Sequence, residues 1–145
     1  MRVTKYSVLL VLLQAATILY LLATGPWLAT PYWGWLEGLG GALAAWALWT
    51  MPPRQLRFVP EIAGHARLIT HGPYRWVRHP MYLALLITLL ALVLAKPTAD
   101  RIVIWLVLVA NLILKLRYEE HLLAARFPEY DAYRRRTKRL VPFLY

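Results

Sequence analysis

Residues 71–82, HGPYRWVRHPMY, gather the side chains best suited to chemistry. They hold Arg75 and Arg78, His71 and His79, the aromatics Tyr74, Trp76 and Tyr82, and Pro73 and Pro80. Pro80 is placed to start a helix just as an apolar run opens at Met81. Cations and imidazoles collected where a chain enters lipid form a candidate binding site. Tyr, Trp and Arg also gather at headgroup level as interfacial anchors, so on its own the segment supports both readings.

A second set, Lys115, Arg117, Tyr118, Glu119 and Glu120, follows another apolar run. Adjacent glutamates point about 100° apart on a helix, so only one is expected to face inward. Brought together, the two sets would offer Arg or His to an anion and one carboxylate to a cation or ribose hydroxyls. Their Tyr and Trp rings would suit a planar base or a positive charge. Other chemistries are poorly served. The chain has no cysteine and therefore no thiolate nucleophile or ligand. Its only serine, Ser7, opens the first apolar run, and neither an HExxH pair nor a Gly-rich phosphate loop is present. No metal site is expected.

The elements that must position these residues follow from hydropathy. With 60% hydrophobic residues and a net charge of +10, the chain reads as an all-α integral membrane protein, one domain over residues 1–145. Four apolar segments at about 6–23, 32–51, 81–95 and 102–116 are the expected spans. The first lacks a clean cleavage site and is read as retained. The last two are joined by six residues around Pro97, which predicts a tight antiparallel hairpin with Thr98 or Asp100 as cap. That hairpin would set residues 71–82 beside residues 115–120.

Fifteen of the seventeen Lys and Arg residues fall before the first span, between the second and third, or from Lys115 onward. Both termini, the loop 52–80 and the segment 117–145 are therefore expected on the cytoplasmic side, with a prokaryotic cytoplasmic membrane as the setting. Leu123, Phe127 and Tyr130 predict an amphipathic C-terminal helical segment, restarted by Pro128. The run 134–136 is assigned to membrane lipid headgroups rather than nucleic acid. Within the second span, Gly34, Gly38, Gly41, Ala42 and Ala45 predict a face for close helix packing. Glu37 is expected to be an interfacial, solvated carboxylate, and Gln14 an interhelical hydrogen-bond donor.

The stretch LITHGPYRWVRHPMY, the later EE pair and RFPEYDAYRRRTKRLVPF resemble the isoprenylcysteine carboxyl methyltransferases and related membrane phospholipid methyltransferases, over residues 67–143. The resemblance implies a cytoplasmic S-adenosylmethionine pocket covered by the C-terminal segment. It places Leu68, Ile69, Tyr74, His79, Pro80, Met81, Tyr82 and Glu119 around that cofactor, with Glu120 adjoining. His65 is offset by one position from the corresponding family histidine. The family's substrate-contacting basic residue falls on Lys115, with Arg117 the nearest arginine, and Arg75 and Arg78 are further candidates for steering an anionic headgroup. Ala84 stands where the family often has glycine. The implied reaction is methyl transfer to a lipophilic acceptor such as a prenylcysteine-type carboxylate or a lipid amine. The same pattern is similar to the cofactor half of NADPH-dependent sterol reductases, an alternative reading, and a non-catalytic lipid-binding protein is a third.

Overall fold

The computed structural model describes residues 4–29, 31–53 and 67–141. Helix α1 spans Lys5–Thr24 and opens with a capping box, in which the Ser7 backbone N–H donates to Thr4 Oγ1 at 3.1 Å and the Thr4 N–H donates to Ser7 Oγ at 3.2 Å. Helix α2 spans Gly34–Thr50, and a 3-10 turn over Gly72–Arg75 follows the loop. Helix α3 spans Pro80–Ala95, with proline at the first helical position, where its missing N–H would have no partner anyway. Helix α4 spans Ala99–Arg126 and α5 spans Tyr130–Arg136. The described residues contain no β-strand, only an isolated bridge between Val77 and Lys138.

The first three apolar segments coincide with α1, α2 and α3 to within two residues at each end. The fourth does not end at 116. Helix α4 continues to Arg126, because Arg117–Arg126 is rich in Leu, Ala, Glu and Arg and contains no Gly or Pro. At 28 residues it is about 42 Å long, more than the roughly 30 Å of a bilayer's hydrocarbon core. The expected C-terminal helix is thus two pieces, the end of α4 and the short α5. Asp131 in the first turn of α5 and Arg134, Arg135 and Arg136 in its last complement the helix dipole. Among the described helices, α1 is long and apolar enough to cross a membrane, while the apolar α3 has 16 residues.

The helices associate chiefly as α2 on α3 and α1 on α4, and the two pairs share a core that includes Leu21, Leu86, Leu89, Leu108, Leu112 and Leu116. The α3–α4 connection is the expected tight turn, yet each of the two packs most extensively on another helix. The small residues that make α2 and α3 meet also differ from expectation. Gly34, Gly38 and Gly41 face open space, whereas Gly40 is buried against α3. A Cβ at Gly40 would collide with the Thr88 side chain and lie 2.9 Å from the Ala84 carbonyl oxygen. The alanine at 84, on the α3 side of this contact, keeps the approach close.

At the end of the bundle away from residues 71–82, Arg101 is 1% exposed and has no carboxylate partner among the described residues. Its guanidinium donates to the backbone oxygens of Leu21 at 2.7 Å, Leu92 at 2.9 Å and Lys96 at 3.1 Å, and to Thr24 Oγ1 at 2.9 Å. Those carbonyls lie at the C-terminal ends of α1 and α3, where helices leave acceptors unpaired and carry partial negative charge. Nearby, Glu37 accepts the Ala29 N–H at 2.8 Å and fixes the turn after α1. Gln14 forms an interhelical bond as the acceptor rather than the expected donor, its Oε1 accepting from Lys115 Nζ at 2.7 Å.

Candidate functional site

The site is assembled where the start of α3 meets the last turns of α4. Residues 76–79 run alongside the C-terminal segment. The Lys138 N–H donates to the Trp76 carbonyl at 3.0 Å, the Arg78 N–H to the Lys138 carbonyl at 2.8 Å, and the His79 N–H to the Arg139 carbonyl at 3.1 Å. The C-terminal segment is therefore stitched onto the motif through backbone groups.

Beneath this seam, Arg78 and Glu120 form a buried pair, with side chains 7% and 6% exposed and Nε to Oε1 at 2.6 Å. The Arg78 Nη1 also donates to the carbonyls of Thr137 at 2.5 Å and Arg134 at 3.2 Å. Glu120 Oε2 accepts from Arg139 Nε at 2.9 Å. Burial alone would push the Glu120 carboxyl up, but the neighbouring His79 and Arg78 outweigh it and hold the group at about 2. Arg78, expected to steer an anion, is instead committed to clamping the C-terminal segment.

Glu119 occupies a different environment. Its side chain is 29% exposed, and Oε2 accepts from Tyr82 Oη at 2.9 Å while lying 3.8 Å from His79 Nδ1. The His79 and Tyr82 rings are parallel, with centroids 5.4 Å apart, and Lys115 Nζ lies 5.4 Å from the Tyr82 ring centroid. His79 Nε2 is 3.4 Å from Glu120 Oε1 without forming a hydrogen bond. The expectation that only one glutamate faces inward is corrected: His79 sits between them and both approach it.

The helix geometry of α4 explains which cations reach this place. Lys115, Glu119 and Asn111 share one face at i, i+4 spacing, while Arg117 is turned about 200° from Lys115 and is exposed. Lys115 is 3% exposed and lies between Gln14 and Tyr82. The structure thus brings Lys115 to the site and leaves Arg117 outside it. Pro80 is buried at the start of α3 and Met81 is half-buried beside it; Leu68 and Ile69 are half-buried in the chain leading to the 3-10 turn. His65 lies outside the described residues.

Tyr130 and Tyr133, which have no part in the site as read from the sequence, join Tyr74 there. Tyr74 is buried and Tyr133 Oη donates to its carbonyl at 2.6 Å, linking α5 to the 3-10 turn. Tyr130 is fully buried, its ring edge-on to Tyr133 with centroids 6.0 Å apart. Burial, reinforced by Glu119 at Tyr74 and by Glu120 at Tyr130 and Tyr133, pushes all three phenols up. They remain protonated at neutral pH. Tyr74 is signalled by the motif that carries it, whereas Tyr130 and Tyr133 are signalled only by their spacing on one side of α5.

The buried Tyr74 hydroxyl, Tyr130 hydroxyl and His79 Nε2 have no hydrogen-bond partner among the described residues. Unsatisfied buried polar atoms are rare in native interiors, and three around one carboxylate pair suit a polar ligand. The half-exposed Glu119 and the adjoining rings of Tyr74, His79 and Tyr82 add a negative charge and aromatic faces. Among the described residues, no group of three or more His, Asp and Glu side chains is placed to hold a metal ion.

A family described as phospholipid methyltransferase matches residues 34–130. Over 78 residues, 53% of the chain, the sequence is 33% identical to the nickel-cobalt-cadmium resistance protein NccN of Alcaligenes xylosoxydans xylosoxydans. Over a stretch of the same length it is 36% identical to the cobalt-zinc-cadmium resistance protein CzcN of Cupriavidus metallidurans. The match spans 37% and 36% of these two proteins' lengths, little more than a third.

Proposed function

Because the chain belongs to the phospholipid methyltransferase family, we propose that it transfers a methyl group from S-adenosylmethionine to a lipophilic acceptor in a membrane. The observation that carries this reading is the meeting of Tyr74, His79, Tyr82 and Glu119, with unsatisfied polar atoms on Tyr74 and His79. These four residues would hold the cofactor, with Pro80 and Met81 shaping the backbone beside it. When bound, S-adenosylmethionine supplies a methyl group activated by a sulfonium charge.

The chain's own groups would do three things. Glu119, held by the Tyr82 hydroxyl, offers a carboxylate to a cationic amine or to ribose hydroxyls. Lys115, on the same face of α4, offers a positive charge to an anionic acceptor such as a carboxylate. The Arg78–Glu120–Arg139 clamp holds residues 137–140 over the site and keeps water out, which favours displacement at carbon by an aligned nucleophile. A carboxylate acceptor needs no base. An amine acceptor needs one, and the Glu119 carboxylate is the group placed to take its proton.

This reading includes four membrane spans, built on α1 to α4, with both termini cytoplasmic. The cation distribution supports it, as does the length of α4, which extends Glu119 and Glu120 beyond the hydrocarbon core. Thermal unfolding of the detergent-solubilised protein tests the cofactor. S-adenosylhomocysteine should raise the melting temperature in a saturable way while NADPH leaves it unchanged, since a ligand that binds only the folded state must stabilise it. Stabilisation by NADPH alone would replace methyl transfer with reduction.

A further inference from the structure

Beside Tyr133 lies a cavity of about 170 Å³, bordered by Thr70, Arg75, Tyr133, Arg136 and Thr137. Sites that enclose a whole cofactor or drug-sized ligand usually occupy about 300–1,000 Å³. This one has room for a compact group only.

Its lining is rich in donors. The Thr137 hydroxyl donates to the Tyr133 carbonyl at 2.8 Å, and the Tyr133 hydroxyl donates to the Tyr74 carbonyl at 2.6 Å, so these two form a fixed wall. Arg75 and Arg136 also border the cavity, both exposed and neither in an ion pair among the described residues. The Arg75 guanidinium lies 5.2 Å from the Trp76 ring centroid, and Arg136 spends only Nε, on the Ala132 carbonyl at 3.3 Å. Glu120 is occupied by Arg78 and Arg139, and Asp131 lies 3.4 Å from Arg134, so neither of these carboxylates is spent on Arg75 or Arg136.

We propose that the cavity between Arg75 and Arg136 is an anion subsite that takes a phosphate group, free or at the head of a lipid lying on this face. Two guanidinium forks and the Thr70 hydroxyl present more donors than a planar carboxylate can accept, whereas the several oxygens of a tetrahedral phosphate suit them. The lack of carboxylate partners leaves the charge of both arginines available. This assignment concerns binding alone and does not rest on methyl transfer.

Calorimetric titration of the detergent-solubilised protein with inorganic phosphate, at constant ionic strength set with chloride, tests it. The wild type should bind saturably, and the double variant Arg75→Gln/Arg136→Gln should bind about tenfold more weakly or worse. Arg135→Gln, a neighbouring exposed cation that does not border the cavity, should bind like the wild type. Both arginines are at the surface, and ligand-free melting should show all variants folded. Vesicles containing phosphatidic acid form the second arm. Binding of inorganic phosphate assigns the site to a soluble phosphate, and binding of the lipid alone assigns it to a headgroup, provided the double variant loses the interaction. Equal losses in Arg135→Gln would overturn the proposal in favour of a diffuse basic surface. Displacement of phosphate by S-adenosylhomocysteine would overturn it by making the cavity part of the donor pocket.

Discussion

Both oxygens of Glu120 are taken by guanidinium groups, while Glu119, one residue earlier, keeps its carboxylate half open beside Tyr82 and His79. The two should fail differently. Glu119→Ala and His79→Ala are expected to weaken S-adenosylhomocysteine binding, measured by calorimetry, more than Glu120→Ala does. Glu120→Ala should instead lower stability, by roughly 3–5 kcal/mol, because it strands the buried Arg78 charge. Acid exposes the same difference. The Glu120 carboxyl is held at about 2 against an ordinary 4.5. A depressed acid stabilises the fold while ionised, so its contribution is complete above about pH 4.5 and is lost as pH falls through about 2. Over that window the wild type should lose on the order of 3 kcal/mol from this group. Glu120→Gln, less stable at neutral pH, should show a flatter acid limb in thermal melts, and an unchanged limb would place the acid sensitivity elsewhere.

Among the elements, α2 carries four glycines whose roles are set by which way each faces α3. Gly40→Ala should destabilise by forcing α2 away from Ala84 and Thr88. Gly41→Ala, with nothing within 4 Å of its added methyl, should be neutral or stabilising by up to about 1 kcal/mol through helix propensity. Melting temperatures of the two variants decide this, and equal losses would mean that α2 is rotated from the orientation seen. Arg101 performs a comparable task at the opposite end, serving the carbonyls that terminate α1 and α3 with one side chain. Arg101→Met should cost roughly 2–4 kcal/mol, because several buried acceptors then go unpaired. Recovery of wild-type stability in Arg101→Lys would show that charge, rather than the planar fork, is what these helix ends require.

For the whole molecule, the charge asymmetry and the placement of the site make one connected expectation. Fifteen of the seventeen cations lie in segments that the four-span reading puts on the cytoplasmic side, which is also where α4 presents Glu119. Single cysteines are readily introduced into this cysteine-free chain. A cysteine at Lys138 should react with a membrane-impermeant label only from the cytoplasmic side, and one at Thr98 only from the outside. The reverse pattern would invert the topology. A polar donor would then enter from the cytoplasm and a tailed acceptor from the bilayer. Shortening the acceptor's tail should reduce turnover far more than it changes donor affinity, since each buried methylene contributes roughly 0.8 kcal/mol. A tail-less analogue turned over equally well at the same low concentration would exclude the bilayer route.

Where three of the helices begin and end, and which two segments meet, can be read from local signals, the apolar runs together with Pro80 and Pro97. The residues that carry the family, from Tyr74 to Tyr82 and at Glu119, were legible for the same reason. Rotational phase was not legible. Helices α2 and α3 are apolar nearly all round, so no polar face marks which side packs, and Gly40 rather than the Gly34–Gly38 pair became the contact. The end of α4 was misplaced because apolarity stops at Leu116 while helix-forming residues continue to Arg126. That Arg78 and Glu120 clamp the C-terminal segment while Lys115 and Glu119 approach Tyr82 emerges only from the packed helices. That division depends on which groups of α1, α3 and the C-terminal segment lie opposite each turn of α4, and such long-range pairings leave no mark on local pattern.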